Sequence, residues 1–283
     1  MRISEAKAAY LRQRRQEGYS EATLKAYDLQ LDLLANGIGD VEVADITTDL
    51  LRRHFDGFVD RLKPSSLAHK VRAVRIFFRW LHEDAEAIVR NPALKLREPK
   101  LGRHIPKAMT MDDVEAIRDA CRTDFERALI EVFFATGCRI GEVMRMNRCD
   151  IDFDRRAIQV LWKGNAEREV YFGSKAAMRL RKYLSGRDDG EQALFRTVNR
   201  PYRRMQIHTL YHHIKRIAAR SGVGRNITPH TWRHTLATLL INQGAPLESV
   251  QQLLGHVKPE STQLYAVLSG EKRHSDYKKY FAQ

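Results

Sequence analysis

Residues 94–109 read LKLREPKLGRHIPKAM. Pro99 and Pro106 stand among Lys95, Arg97, Lys100, Arg103 and Lys107, and another proline, Pro92, lies just upstream. Proline has no amide donor and pushes the residue before it towards extended backbone, so this run does not propagate a helix. Repeated prolines among charges, with no apolar period, are linker chemistry. The run therefore predicts a first domain over residues 1–96, a linker over 97–107 and a second domain over 108–283.

Upstream of the linker the chain reads as helices with almost no strand signal. One covers residues 5–16, and a second follows Ser20 as its N-cap through Ala26 and Leu34. A third opens after Thr47-Thr48 and runs to Leu62, where Lys63-Pro64 stops it. The fourth begins near Ser65 and places Leu67, Val71, Val74, Phe78 and Leu81 at spacings of four and three, the buried stripe of a long amphipathic helix. Lys70, Arg72, Arg75 and Arg79 lie off that stripe or on its margins. Between Lys63 and Arg103 there are ten basic and four acidic residues, which favours a helix lying along a phosphate backbone over a merely solvated face.

Downstream, Thr110-Met-Asp-Asp113 is a capping arrangement that restarts a helix. The next helix, residues 124–136, ends at Gly137, a residue suited to the left-handed turn that closes a helix. AIQVLW and REVYF are β-rich runs separated by Lys163-Gly164-Asn165, which is hairpin chemistry. From Ser174 the chain reads as helical again, with Gly222, Gly244 and Gly255 closing helices and Pro229, Pro246 and Pro259 opening them. The fold class expected is mainly α with one small antiparallel β-sheet in the second domain.

The whole chain carries 49 Lys and Arg against 35 Asp and Glu, a formal charge of +14 and a pI near 9.8. Such an excess favours a polyanionic partner, because neutralised phosphates release condensed counterions. Residues 196–225 concentrate it, with eight Lys and Arg and no acid, and Arg200, Arg203 and Arg204 are the candidates there for lining DNA. Most such contacts reach phosphates and position the protein rather than read bases. Cys121, Cys138 and Cys149 make an odd count without CxxC spacing, so a disulfide framework is not expected and a reducing compartment fits. Neither a signal peptide nor an apolar run of membrane-spanning length is read, and a cytoplasmic, nucleoid-associated protein is expected.

Four islands in the second domain carry groups that bind phosphate or move protons. The first is Ala135-Thr-Gly-Cys-Arg-Ile-Gly-Glu142, with Arg139 at the start of a helix. The second is Lys163 at the hairpin tip. The third is Thr228-Pro-His-Thr-Trp-Arg-His234, which sets His230 and Arg233 one helical turn apart. The fourth is Leu254-Gly-His256, followed nine residues later by Tyr265.

In this order and context the islands resemble the tyrosine recombinase family, which includes Xer-type recombinases and phage integrases. The family signature of Arg, Lys, His-x-x-Arg, His or Trp, and Tyr is matched by Arg139, Lys163, His230 to Arg233, His256 and Tyr265. The resemblance spans the second domain. It implies an N-terminal helical, SAM-like core-binding domain, a mixed α/β catalytic domain, and site-specific DNA strand exchange or integration through a 3′-phosphotyrosyl intermediate. It makes Tyr265 the nucleophile and Lys163 the general acid for the leaving 5′-oxygen. Arg139 and Arg233 suit a clamp on the phosphate oxygens, because a guanidinium stays charged and donates forked hydrogen bonds. His230 is the expected proton acceptor and His256 a further phosphate donor, while Glu142 is expected to orient Arg139 or His230. The scheme calls for no cofactor, metal or ATP. Double-stranded DNA is the implied partner, with self-association into a synaptic tetramer on DNA and a monomer left open for the free protein.

Other readings are weaker. His208/His212 and His230/His234 have the i, i+4 spacing of zinc ligands but lack the glutamate and third ligand of a metalloprotease site. Tyr277 and Tyr280, the rival nucleophiles, sit in a basic tail without matching context. That tail reads as a frayed end or as a helix docked on a neighbouring protomer. A type IB topoisomerase-like relaxing enzyme and a catalytically silent DNA-binding relative are the alternatives to a recombinase.

Overall fold

The computed structural model describes residues 1–102, 108–161 and 167–255. The chain divides into two units, Met1–Arg103 and His104–Gln283.

The first unit contains α1 (Ile3–Gln16), α2 (Glu21–Ile38), α3 (Thr48–Val59) and α4 (Pro64–Glu83). Local chemistry starts them where expected. The Ser20 hydroxyl accepts the Thr23 amide and the Thr47 hydroxyl accepts the Leu50 amide, each relieving one of the unpaired donors at a helix start. Pro64 occupies the first turn of α4, where a missing N–H costs nothing. α3 stops at Val59 rather than Leu62. The residue before Pro64 has to be extended, and the chain uses residues 60–63 to turn back.

The predicted stripe of α4 is buried throughout, but its inward face is wider, because Phe77 and Trp80 are buried as well. Tyr10 of α1 meets the Trp80 ring edge-on at 5.2 Å, and Trp80 donates its indole N–H to Gln13 at 2.7 Å. Leu31 and Leu34 of α2 and Leu51 of α3 complete this core. Residues 94–98, read as linker in part, belong to this unit: Leu96 is buried and Glu98 accepts from Arg72 at 3.1 Å.

The second unit contains α5 (Met111–Asp119), α6 (Asp124–Thr136), α7 (Ile140–Arg145), strands β1 (Ile151–Asp152), β2 (Ala157–Leu161) and β3 (Glu167–Tyr171), then α8 (Ser174–Ser185), α9 (Ile207–Arg220), α10 (Pro229–Asn242) and α11 (Leu247–Leu254). The strands form an antiparallel sheet in the order β1-β2-β3. Ile158 pairs with Val170 and Val160 with Arg168, so an arginine shares the inward face with three aliphatic residues. Thr110 and Asp113 cap α5 reciprocally. Gly137 closes α6 in the left-handed region with φ +58.

Leu129, Ile130 and Phe133 of α6 and Trp232 of α10 lie in the main core, and Ala237, Ile241, Val250 and Leu254 fasten α11 to α10. Residues 186–206 are not helical, contrary to the reading from Ser174 onward. Asp189 organises them instead, accepting from Arg187 and from Arg196, both at 2.6 Å. Among the described residues no helix is long and apolar enough to cross a membrane.

Candidate active site

The loop from Gly137 to Arg139 turns the chain from α6 into α7. A side chain at position 137 would bring its Cβ to 2.7 Å from a Leu254 methyl and 2.9 Å from a Leu236 methyl, so those leucines would have to shift, and the left-handed backbone angle favours glycine as well. Arg139 is the residue before the first turn of α7, and Glu142 lies in that turn. The Glu142 carboxylate accepts the Arg139 amide at 2.9 Å through one oxygen and the Arg139 guanidinium at 2.9 Å through the other. Of the two orienting roles expected of Glu142, the hydrogen bonds described here include the one to Arg139.

Glu142 is only 3% exposed. Burial pushes its carboxyl upward, but Arg168 and Arg139 outweigh that and hold it below the usual carboxylate range. It is therefore a buried anion among guanidiniums, which keeps the cluster from being a bare accumulation of positive charge.

Arg233 comes from the second turn of α10 and is 4% exposed. It donates to the Gly137 carbonyl at 2.9 Å and to the Leu254 carbonyl. Arg139, whose side chain is 36% exposed, donates to the Gly255 carbonyl at 3.1 Å. Both arginines thus rest on the C-terminal end of α11, where carbonyls lack intrahelical partners and the helix dipole favours cations. Gly255 directly precedes His256 in the sequence.

His230 lies on α10 one turn before Arg233 and is accessible to solvent. The protein mass around its ring, then Arg233 and Arg139, lower its pKa below the ordinary histidine value, which favours the neutral, proton-accepting form. Burial pushes the neighbouring Cys138 thiol up to about 11, so it remains a neutral packing group. The structure therefore brings Arg139, Glu142, Arg233 and His230 into one neighbourhood. Lys163, His256 and Tyr265 lie outside the described residues.

Arg168 is a member of this cluster that the islands did not include. It donates to Glu142 at 2.8 Å and to the Leu253 carbonyl. Its signal was the two-residue period of REVYF, which puts Arg168 on the same face as the buried Val170.

The expected DNA-facing residues differ in how they are held. On α4, Arg72 and Arg79 are exposed, Arg72 and Arg75 pair with Glu98, and Lys70 donates to Gln30 at 3.3 Å while lying over the Phe58 ring. Arg200 and Arg203 are exposed. Arg204 is turned into the fold, where its guanidinium donates to the Met144 carbonyl at 2.8 Å, the Met146 carbonyl at 3.1 Å and the Asn147 side chain. Arg196, Arg220 and Arg225 pair with Asp189, Glu126 and Asp113, acids brought in from other segments.

Two family models match: the phage integrase family over residues 107–272 and the phage integrase N-terminal SAM-like domain over residues 8–84. The chain is similar to tyrosine recombinase XerC of Corynebacterium glutamicum, 34% identical over 90% of this chain and 84% of that one. It is similar also to tyrosine recombinase XerD of Listeria innocua, 30% identical over 94% of each. In fold it resembles a lambda integrase tetramer bound to a Holliday junction, with a TM-score of 0.76 and 20% identity over 92% of this chain and 78% of that one.

Proposed function

The chain belongs to the phage integrase family of tyrosine recombinases, and we propose from that premise that it is a site-specific DNA recombinase working through a 3′-phosphotyrosyl intermediate at Tyr265. The observation that carries this reading is the convergence of Arg139 and Arg233, anchored by backbone carbonyls and Glu142, beside a histidine biased to its neutral form.

As the scissile phosphorus becomes five-coordinate, negative charge grows on its non-bridging oxygens. Arg139 and Arg233 stabilise that charge with donors that need no reorganisation. Tyr265 attacks phosphorus through its phenol oxygen and its proton passes to His230. The 5′-oxygen leaves as the P–O bond breaks and takes a proton from Lys163. His256 adds a hydrogen bond to the phosphate. The new phosphotyrosyl ester retains the linkage, so a 5′-hydroxyl of another strand reverses the step and reseals the DNA without ATP or a metal. Lys163, His256 and Tyr265 enter this scheme through the family resemblance of their sequence context.

The domain assignment that accompanies this reading is a core-binding domain over residues 1–96, a linker over 97–107 and a catalytic domain over 108–283. Lys70, Arg72, Arg75 and Arg79 of the first domain and Arg200 and Arg203 of the second contact phosphates, and Arg204 supports the loop that carries the last two. Double-stranded DNA is the partner, two protomers occupy a site and four form the synaptic complex. The protein works in the cytoplasm at the nucleoid. A relaxing enzyme is not favoured, because the relatives that match most of the chain are named recombinases.

Tyr265→Phe tests the assignment. On a nicked suicide substrate carrying the cognate site, the wild-type protein forms a covalent DNA adduct. The variant binds the same DNA with unchanged Kd and forms none. Adducts that persist in the variant identify another nucleophile.

A further inference from the structure

Three arginines from three elements take three consecutive carbonyls at the C-terminal end of α11, two within the helix and one on its capping Gly255. Arg168 of β3 donates to Leu253, Arg233 of α10 to Leu254 and Arg139 at the start of α7 to Gly255. Two of them are assigned to the phosphate in the reading above, on which this inference rests. The third has no such role. Its side chain is 11% exposed, and its second guanidinium nitrogen is used on Glu142, whose other oxygen holds Arg139. A Cβ on Gly255 would lie 2.9 Å from its Nε, so the guanidinium is pressed against the backbone that leads into His256.

We propose that Arg168 is a positioning residue for strand cleavage. It ties the carboxylate that orients Arg139 to the end of the helix that precedes His256, so the two sides of the phosphate site hold one fixed separation. It does this without touching DNA. The task needs a guanidinium, because a planar fork reaches a carboxylate and a carbonyl at once, whereas a lysine ammonium is a single point charge. The inward position of Arg168 on the hairpin strand, opposite Val160, also links the β2–β3 hairpin to the same helix end.

The test compares wild type, Arg168→Ala, Arg168→Lys and Arg168→Gln in single-turnover cleavage of the suicide substrate. DNA Kd and amide hydrogen exchange across residues 247–255 are measured alongside. In Arg168→Ala, cleavage falls on the order of 10- to 100-fold, the range for groups that orient a site's ligands, while Kd stays unchanged. The α11 amides exchange faster while those of α8 do not. Arg168→Lys stays impaired, and added guanidinium ion restores part of the Arg168→Ala rate. Combined with Glu142→Gln, the loss is less than additive, because both changes release the same arginine. If Arg168→Ala does not fold, Arg168→Lys and Arg168→Gln decide by the same readouts. The proposal is overturned if cleavage stays within about twofold of wild type, if weakened DNA binding accounts for the whole loss, or if lysine substitutes fully. A wild-type protein that forms no adduct sinks the functional reading instead, and the exchange measurement still decides whether Arg168 holds α11.

Discussion

On α4, Arg72 and Arg79 stand in solvent and Arg72 shares Glu98 with Arg75, whereas at the end of α11 Arg139, Arg168 and Arg233 are held by backbone carbonyls and a buried carboxylate. The same side chain acts differently in the two settings. In water a guanidinium is mobile and screened, so it contributes affinity that salt removes and little positional information. At the end of α11 the three guanidiniums are oriented before any ligand arrives, and their charge acts through a medium that screens it less. Charge count alone does not separate these roles. The number of fixed acceptors around each arginine does.

The comparison breaks first at Arg233. Arg233→Ala removes a donor of the proposed phosphate clamp and leaves the Gly137 and Leu254 carbonyls short of a partner. By analogy with losing an oxyanion donor, cleavage should lose about 3–4 kcal/mol of transition-state stabilisation, read as the single-turnover adduct rate. A near-wild-type rate would mean that buried orientation confers no catalytic advantage here.

Next is the turn that lets the arginines meet. Gly137→Ala places a Cβ in the left-handed region and against Leu254, and should cost about 1–3 kcal/mol of stability in denaturant titrations. Gly222→Ala has φ +72 with open space around the Cβ and meets only the backbone penalty. Equal losses at the two positions would remove the argument from close approach.

A subtler test sharpens the electrostatic half of the comparison. In the proposed mechanism His230 accepts a proton and so needs its neutral form, and its pKa is lowered. Cleavage is therefore retained at high pH and lost as pH falls, with the acid limb below the reference histidine value of about 6.5. Arg139→Ala removes one of the cations that lower it and should move the limb of the residual activity to higher pH. A limb that does not move would show that this histidine does not sense the arginine.

The smallest effect is expected on the exposed face. Arg79→Ala should leave cleavage of bound DNA unchanged and reduce the salt dependence of DNA binding by about one unit of slope, measured as log Kd against log salt. Loss of cleavage at saturating DNA would show that this arginine acts like those of the second unit.

Much of this was local and therefore readable along the chain. Ser20, Thr47 and Thr110 as helix caps, Gly137 as a left-handed terminator and the β2–β3 pairing each depend on neighbours within a few residues. The Arg139–Glu142 pair, three residues apart, belongs with them. Which acceptors surround a given arginine is not written in its immediate neighbours. Residues 196–225 contain no acid, yet Arg196, Arg220 and Arg225 pair with Asp189, Glu126 and Asp113. Arg204, a candidate phosphate contact from its basic surroundings, donates to the carbonyls of Met144 and Met146 some sixty residues away.

The order of islands and the helical and strand periods, which the chain carries by itself, determined the family resemblance, the mainly helical class and the identity of the chemical groups. Only the tertiary structure decided which arginines are immobilised and that Arg168 joins them. Hydrogen bonds across the fold are set by where distant segments pack, and no local period encodes that distance.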